Sequence, residues 1–95
     1  MDQESQIRAP LEHPCYAGHF PGRPIVPGVL LLDLVVEAIG QGAPRALAAV
    51  KFHQAVLPGD ALTVRWRREE SRLSFRCERS TAGQPALVAD GVLTL

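Results

Sequence analysis

The sequence has no excess of charge of either sign, because its ten basic and ten acidic residues cancel. A nucleic-acid-binding domain needs a basic excess to neutralise phosphates, so this balance argues against that class of function. Cysteine is scarce as well. Cys15 and Cys77 lie far apart and form neither a CxxC motif nor a metal-ligand spacing. We expect two reduced thiols in a cytoplasmic protein, with a disulfide as the alternative.

Long hydrophobic runs are also missing. The longest apolar stretch, residues 25–39, contains Asp33 and Glu37 and is shorter than the roughly 20 residues of a membrane span. The acidic, polar start of the chain is unlike a signal peptide. We therefore expect no membrane span and a cytoplasmic location. The 95 residues predict one domain, and a domain of this size gains much stability from oligomerisation.

Hydrophobic periodicity predicts an α+β fold. Residues 10–28 are rich in proline and glycine and predict an irregular loop, and an almost wholly apolar helix follows over residues 28–40. The period then changes to two, which predicts strands over residues 48–57, 61–69, 73–78 and 86–95. We expect residues 1–9 to be frayed at the start, with a short strand over residues 6–9. These elements predict one buried helix wrapped by an antiparallel sheet, with a free edge suited to a two-fold dimer.

His19 is the first candidate site residue. A lone loop histidine is often only surface polarity, but glycines at 18 and 22 allow close backbone approach and Pro21 stiffens the loop. Phe20 gives the same loop an apolar anchor. Imidazole titrates near neutral pH, so a histidine held in position suits general acid–base chemistry.

Asp33 and Gly28 are the second and third candidates. Asp33 stands among leucines and valines in mid-helix, where burial would favour a protonated carboxyl suited to a general acid. A structural ion pair with Arg23 is the alternative. Gly28 begins the predicted helix, where its N–H lacks an intrahelical partner and can donate to a carbonyl that becomes an enolate.

Residues 18–30 read GHFPGRPIVPGVL, and this run resembles the signature of the hot-dog-fold 3-hydroxyacyl-acyl-carrier-protein dehydratases. Further matches are Lys51-Phe52, Pro58-Gly59-Asp60 and the closing Val88-Ala89-Asp90. The resemblance implies a hot-dog fold and dehydration of a 3-hydroxyacyl thioester to the trans-2-enoyl thioester. It also implies a catalytic histidine with an acidic residue 14 positions later, and Asp33 stands at that distance from His19. In the family, opposite subunits of a dimer contribute these two residues to each site.

The resemblance assigns roles to several other residues. Gly28 stabilises the enolate, and the acyl substrate contacts Phe20, Pro21, Gly22 and Val29. Arg23, Arg65 and Arg67 are candidate contacts with an acidic acyl carrier protein. For Arg65 and Arg67, which lie on a predicted strand, the alternative is that they form its solvent-exposed face. No metal or other cofactor is implied, because the phosphopantetheine arm arrives with the substrate. Assembly beyond a homodimer is left open.

Glu37 departs from the family pattern, which has glutamine one turn after the acid. It lies one turn beyond Asp33, about 6 Å along the helix, too far to replace it at the same substrate oxygen. On one helix face with Asp33, it is instead a candidate modulator. Within the family, the chain is most similar to small dehydratases of accessory pathways such as aryl-polyene or other specialised lipid synthesis. The alternatives are a hot-dog thioesterase and a non-catalytic acyl-thioester-binding module.

Overall fold

The computed structural model describes residues 2–16, 25–80 and 85–95, apart from the side chain of Cys15. Five antiparallel strands form one sheet in the order β1-β3-β4-β5-β2. The strands are β1 (Asp2–Arg8), β2 (Ala46–Phe52), β3 (Ala61–Glu69), β4 (Arg72–Arg79) and β5 (Ala86–Thr94). A single turn of 3-10 helix covers Pro14–Tyr16. The predicted α+β architecture is confirmed.

The predicted helix forms as α1 (Gly28–Ile39). Pro27 precedes it with extended backbone angles, φ −61° and ψ 147°, and its carbonyl accepts the Leu31 N–H at 3.0 Å. Gly40 ends the helix in the left-handed conformation, φ 72°, which glycine adopts without a Cβ clash. No helix among the described residues combines the length and apolarity needed to cross a membrane.

The core lies between α1 and one face of the sheet. Alternate residues of β3 point inward, as the period-2 pattern predicts, and Leu62 and Val64 are wholly buried. In β4 the same alternation buries Leu73, Phe75 and Cys77. The helix contributes Leu30, Leu31, Val35 and Ile39 to this core.

The edge strands differ most from the sequence-based expectation. β1 covers seven residues rather than a short strand at 6–9, and it pairs with β3 along its whole length. Its polar side chains do not prevent this, because the strand is held mainly by backbone hydrogen bonds to β3, and Ile7 packs against the core. β2 ends at Phe52, whereas the sequence predicted a strand over 48–57. Most of β2 is exposed, so its apolar residues carry no alternation that would mark its ends.

Candidate active site

The start of helix α1 is tied to the segment that follows β2. The Val26 N–H donates to the Val56 carbonyl at 2.8 Å, and both residues are buried. Gly28 is then the first helical residue, as predicted. Helix geometry leaves the first-turn N–H groups without intrahelical acceptors and with the positive end of the helix dipole. The turn is therefore a hydrogen-bond donor for a developing negative charge.

An open cleft of about 380 Å³ lies at this turn, lined by Val26, Gly28, Leu31, Phe52, His53, Gln54, Ala55 and Val56. Phe52 packs directly over Gly28. A Cβ added to Gly28 would lie 3.0 Å from the ring Cζ and 3.3 Å from both Cε atoms. Contact this close favours glycine at residue 28, because a Cβ there would have to displace the ring. From the sequence, Phe52 was identified only as part of a family match; the contact was missed because Phe52 lies 24 positions after Gly28.

Asp33 lies on the exposed face of α1, so the expectation that it is buried is wrong for the single chain. Val29, Asp33 and Glu37 recur at intervals of four, and all three are exposed, with Val29 at 76 %. The helix buries the opposite side, through Leu30, Leu31, Val35 and Ile39, against the sheet. A helix packed on one sheet is covered on one side only, so this amphipathic division decides which residues are exposed.

The two strand arginines proposed as carrier contacts already have acidic partners. Arg65 lies between Glu4 and Glu78, with nitrogen–oxygen distances of 3.0 Å and 2.8 Å. The hydrogen bond to Glu4, and then the attraction of Glu78, raise the pKa of Arg65. Arg67 lies 3.4 Å from Glu69, and both side chains are largely exposed, at 61 % and 73 %. Of the two, Arg67 is the freer to exchange its partner for another anion.

Five of the predicted site residues fall outside the described residues: His19, Phe20, Pro21, Gly22 and Arg23. The predicted relationship between His19 and Asp33 is therefore still a prediction.

Where the structure describes the chain, it shows no group of three or more His, Cys, Asp or Glu side chains able to hold a metal ion. Cys77 is a free, buried thiol, and burial, followed by the nearby Glu78 charge, raises its pKa to about 11.

One further titratable pair lies beside the cleft. His53 Nε2 and Asp90 Oδ2 are 3.0 Å apart, and each side chain is 37 % exposed. In the β2–β5 register Lys51 pairs with Asp90, and Phe52 pairs with Ala89. Successive strand residues point to opposite faces, so Lys51 and Asp90 share the outer face of the sheet, whereas Phe52 points toward α1. Asp90 therefore lies on the outer face of the sheet, and His53, which also lines the cleft, connects that face to the cleft.

Residues 2–91 match a protein-family model described as ApeI-like, ApeI dehydratase. Among curated proteins, the chain is 37 % identical over 65 residues to the 3-hydroxyacyl-acyl-carrier-protein dehydratase FabZ of Haemophilus influenzae, covering 55 % of this chain and 44 % of that protein. FabZ of Agrobacterium fabrum is 32 % identical over 95 residues, covering 84 % of this chain and 60 % of that protein. The chain thus spans about half the length of the curated relatives that it matches.

The fold is also found in solved structures. The dehydratase heterocomplex ApeI:P from Xenorhabdus doucetiae superimposes with a TM-score of 0.77, at 23 % identity, over 98 % of this chain and 85 % of that one. At this identity the likeness concerns the fold, which is the hot-dog fold that the sequence motif implied. The family match and the fold therefore agree with the motif of residues 18–30.

Proposed function

The chain belongs to the ApeI-like dehydratase family, and on that premise we propose that it removes water from a 3-hydroxyacyl thioester to give the trans-2-enoyl thioester. The observation that carries the proposal is the position of Gly28. It begins α1 inside a cleft lined by both apolar and polar residues, where a thioester carbonyl can accept hydrogen bonds from the first turn. The relatives named as 3-hydroxyacyl-acyl-carrier-protein dehydratases support the same reaction.

In this proposal His19 takes the proton from C2 of the acyl chain. The electron pair moves onto the thioester carbonyl oxygen, and the Gly28 N–H stabilises the resulting enolate. The enolate then collapses to form the C2–C3 double bond and expels the C3 hydroxyl. The hydroxyl leaves as water with a proton from Asp33 or, where Asp33 only orients it, with the proton that His19 removed. Proton exchange with solvent returns His19 and Asp33 to their starting states, and the net change is the loss of one water molecule.

A second copy of the chain completes the site in our proposal. Asp33 and the 76 % exposed Val29 lie on the helix face turned away from the sheet. Edge strand β2 adds further uncovered apolar surface, with Leu47 48 % and Phe52 51 % exposed. Pairing two copies along β2 would extend the backbone ladder and cover these side chains. Asp33 of one subunit would then serve His19 of the other.

The substrate arrives, in this proposal, on the phosphopantetheine arm of an acyl carrier protein. Arg23 and Arg67 are the proposed contacts with its acidic surface, and Arg65 contributes less because Glu4 and Glu78 already hold it. No further cofactor takes part. We place the reaction in the cytoplasm, where the free Cys77 thiol would stay reduced. The pathway we favour is an accessory one, such as aryl-polyene or other specialised lipid synthesis.

The proposal is tested by giving the purified protein a 3-hydroxyacyl carrier-protein thioester and following enoyl product and free thiol together. Enoyl formation is expected, and His19→Ala and Asp33→Asn should each lower its rate by about 100-fold or more. Glu37→Gln, one helical turn beyond Asp33, should cost much less. Thiol release without enoyl product would replace the dehydratase with a thioesterase, and binding without either product would indicate a non-catalytic module.

Mixing the two inactive variants tests the shared site. Subunit exchange between His19→Ala and Asp33→Asn dimers places one intact site in each mixed dimer, so activity should return. A matched control mixes His19→Ala with His19→Ala/Asp33→Asn, where no intact site can form. Equal activity in the two mixtures would contradict the shared site without affecting the proposed reaction.

A further inference from the structure

Phe52 and Gly28 form a matched pair at the start of α1. The ring approaches Gly28 so closely that any side chain there would meet it at 3.0–3.3 Å. Contact at that distance is tighter than most Cβ contacts, so a side chain at residue 28 would push the ring aside by a few tenths of an ångström. Even so, 51 % of Phe52 is exposed.

Backbone hydrogen bonds hold the two partners in place relative to each other. Phe52 pairs with Ala89 of β5, and the next residue, His53, donates its N–H to the Val88 carbonyl at 2.8 Å. The start of the helix is fixed to the same segment by the 2.8 Å bond from Val26 to Val56. The backbone that carries the ring is therefore held beside the cleft, which Phe52 lines.

We propose that Phe52 is a specificity-determining residue that admits acyl groups unsubstituted at C2 and excludes those with a C2 branch. The inference rests on the proposed function, which places the thioester carbonyl at the first turn of α1. C2 is bonded directly to the carbonyl carbon. A substituent on C2 would then lie close to Gly28, and the group packed over Gly28 is the Phe52 ring.

Binding measurements test this proposal separately from turnover. The probes are butyryl-pantetheine and 2-methylbutyryl-pantetheine in which an amide replaces the thioester, so that neither can react. Their dissociation constants are measured by calorimetry for the wild type and for Phe52→Ala, Phe52→Leu and Leu57→Ala. Leu57 is the matched control, since it is also 51 % exposed but does not line the cleft. Thermal unfolding confirms that each variant is folded.

We expect the wild type to bind the unbranched probe with a dissociation constant about 10-fold lower or better, which is the discrimination that one methyl group produces in a shaped pocket. Phe52→Ala should reduce this preference to within about twofold, Phe52→Leu should be intermediate, and Leu57→Ala should keep the wild-type ratio. A wild type with no preference, a preference that survives in Phe52→Ala, or no binding of either probe would overturn the inference. Discrimination without enoyl product in the separate assay would overturn the dehydratase reaction and leave the role of Phe52 standing.

Discussion

Gly91 offers the sharpest test of how β2 is held on the sheet. It lies on β5 opposite Val50, beside an irregularity in the β2 register between Leu47 and Ala49. An added Cβ would overlap the Ala49 carbonyl oxygen and lie 3.0 Å from two ring carbons of Phe75. A carbonyl in a strand cannot move without moving the strand, so Gly91→Ala must displace β2 or Phe75.

The expected cost follows from overpacking. Extra atoms forced into a packed interior lower the free energy of unfolding by about 1–3 kcal/mol, and the clash with backbone places Gly91→Ala at about 2 kcal/mol or above. For a domain of this size each kcal/mol lowers Tm by about 4–8 °C, so we expect a fall of about 8–16 °C. Amide hydrogen exchange should rise more in β2 than in β3.

Gly40→Ala is the matched control. Gly40 has φ 72° but no atom within 4 Å of an added Cβ, so this change tests backbone strain without a clash. It should cost about 1 kcal/mol. Urea and thermal unfolding are compared at one protein concentration, because association shifts apparent stability. Unfolding of Gly91→Ala within about 0.5 kcal/mol of the wild type would refute the close packing of β2 on β5.

Two further predictions concern charge and burial. Arg65→Met should lower Tm more than Arg67→Met. It removes the cation 2.8 Å from the Glu78 carboxylate, which is only 11 % exposed, whereas Glu69, the partner of Arg67, is 73 % exposed. Equal shifts in Tm would contradict this reasoning. Cys77, with a pKa of about 11, should resist iodoacetamide at pH 8 in the folded protein and react at least about 100-fold faster after unfolding, as peptide mass mapping would show. Because the pKa of the Cys77 thiol is lower in the unfolded chain, about 9, than in the folded protein, about 11, the thiol ionises in the unfolded chain at lower pH. The contribution of Cys77 to the free energy of unfolding is therefore fully present below about pH 9 and is lost as the pH rises toward 11.

The central elements could be predicted from the sequence. Strand β3 has the predicted bounds, because its one buried face imposes a period of two. Helix α1 was predicted from its apolar run between Pro27 and Gly40, and it ends one residue before Gly40; the sequence did not indicate that one of its faces is exposed. The bounds of the two edge strands were harder to predict. β2 is exposed along most of its length, and β1 is held mainly by backbone hydrogen bonds, so neither carries a strong period.

The candidate site was likewise predicted only in part. The sequence alone placed Gly28 at the start of the helix, and the structure has it there. It placed Asp33 among leucines and therefore predicted burial, which was wrong for the single chain. Neighbours in sequence are not neighbours across a helix. Asp33 shares its face with Val29 and Glu37 rather than with the adjacent leucines, and the exposed side of α1 is decided by the sheet beneath it.

What the sequence by itself determined is the order of helix and strands, the glycine at the helix start, and the motif of residues 18–30 that indicated the family. These are local properties, which depend on residue types and their spacing along the chain. Only the tertiary structure decided that β1 and β2 form the edges, that Asp33 faces outward, and that Phe52 covers Gly28 from 24 residues away. Such contacts depend on the strand order and on the packing of α1 across the sheet, and no local pattern encodes either.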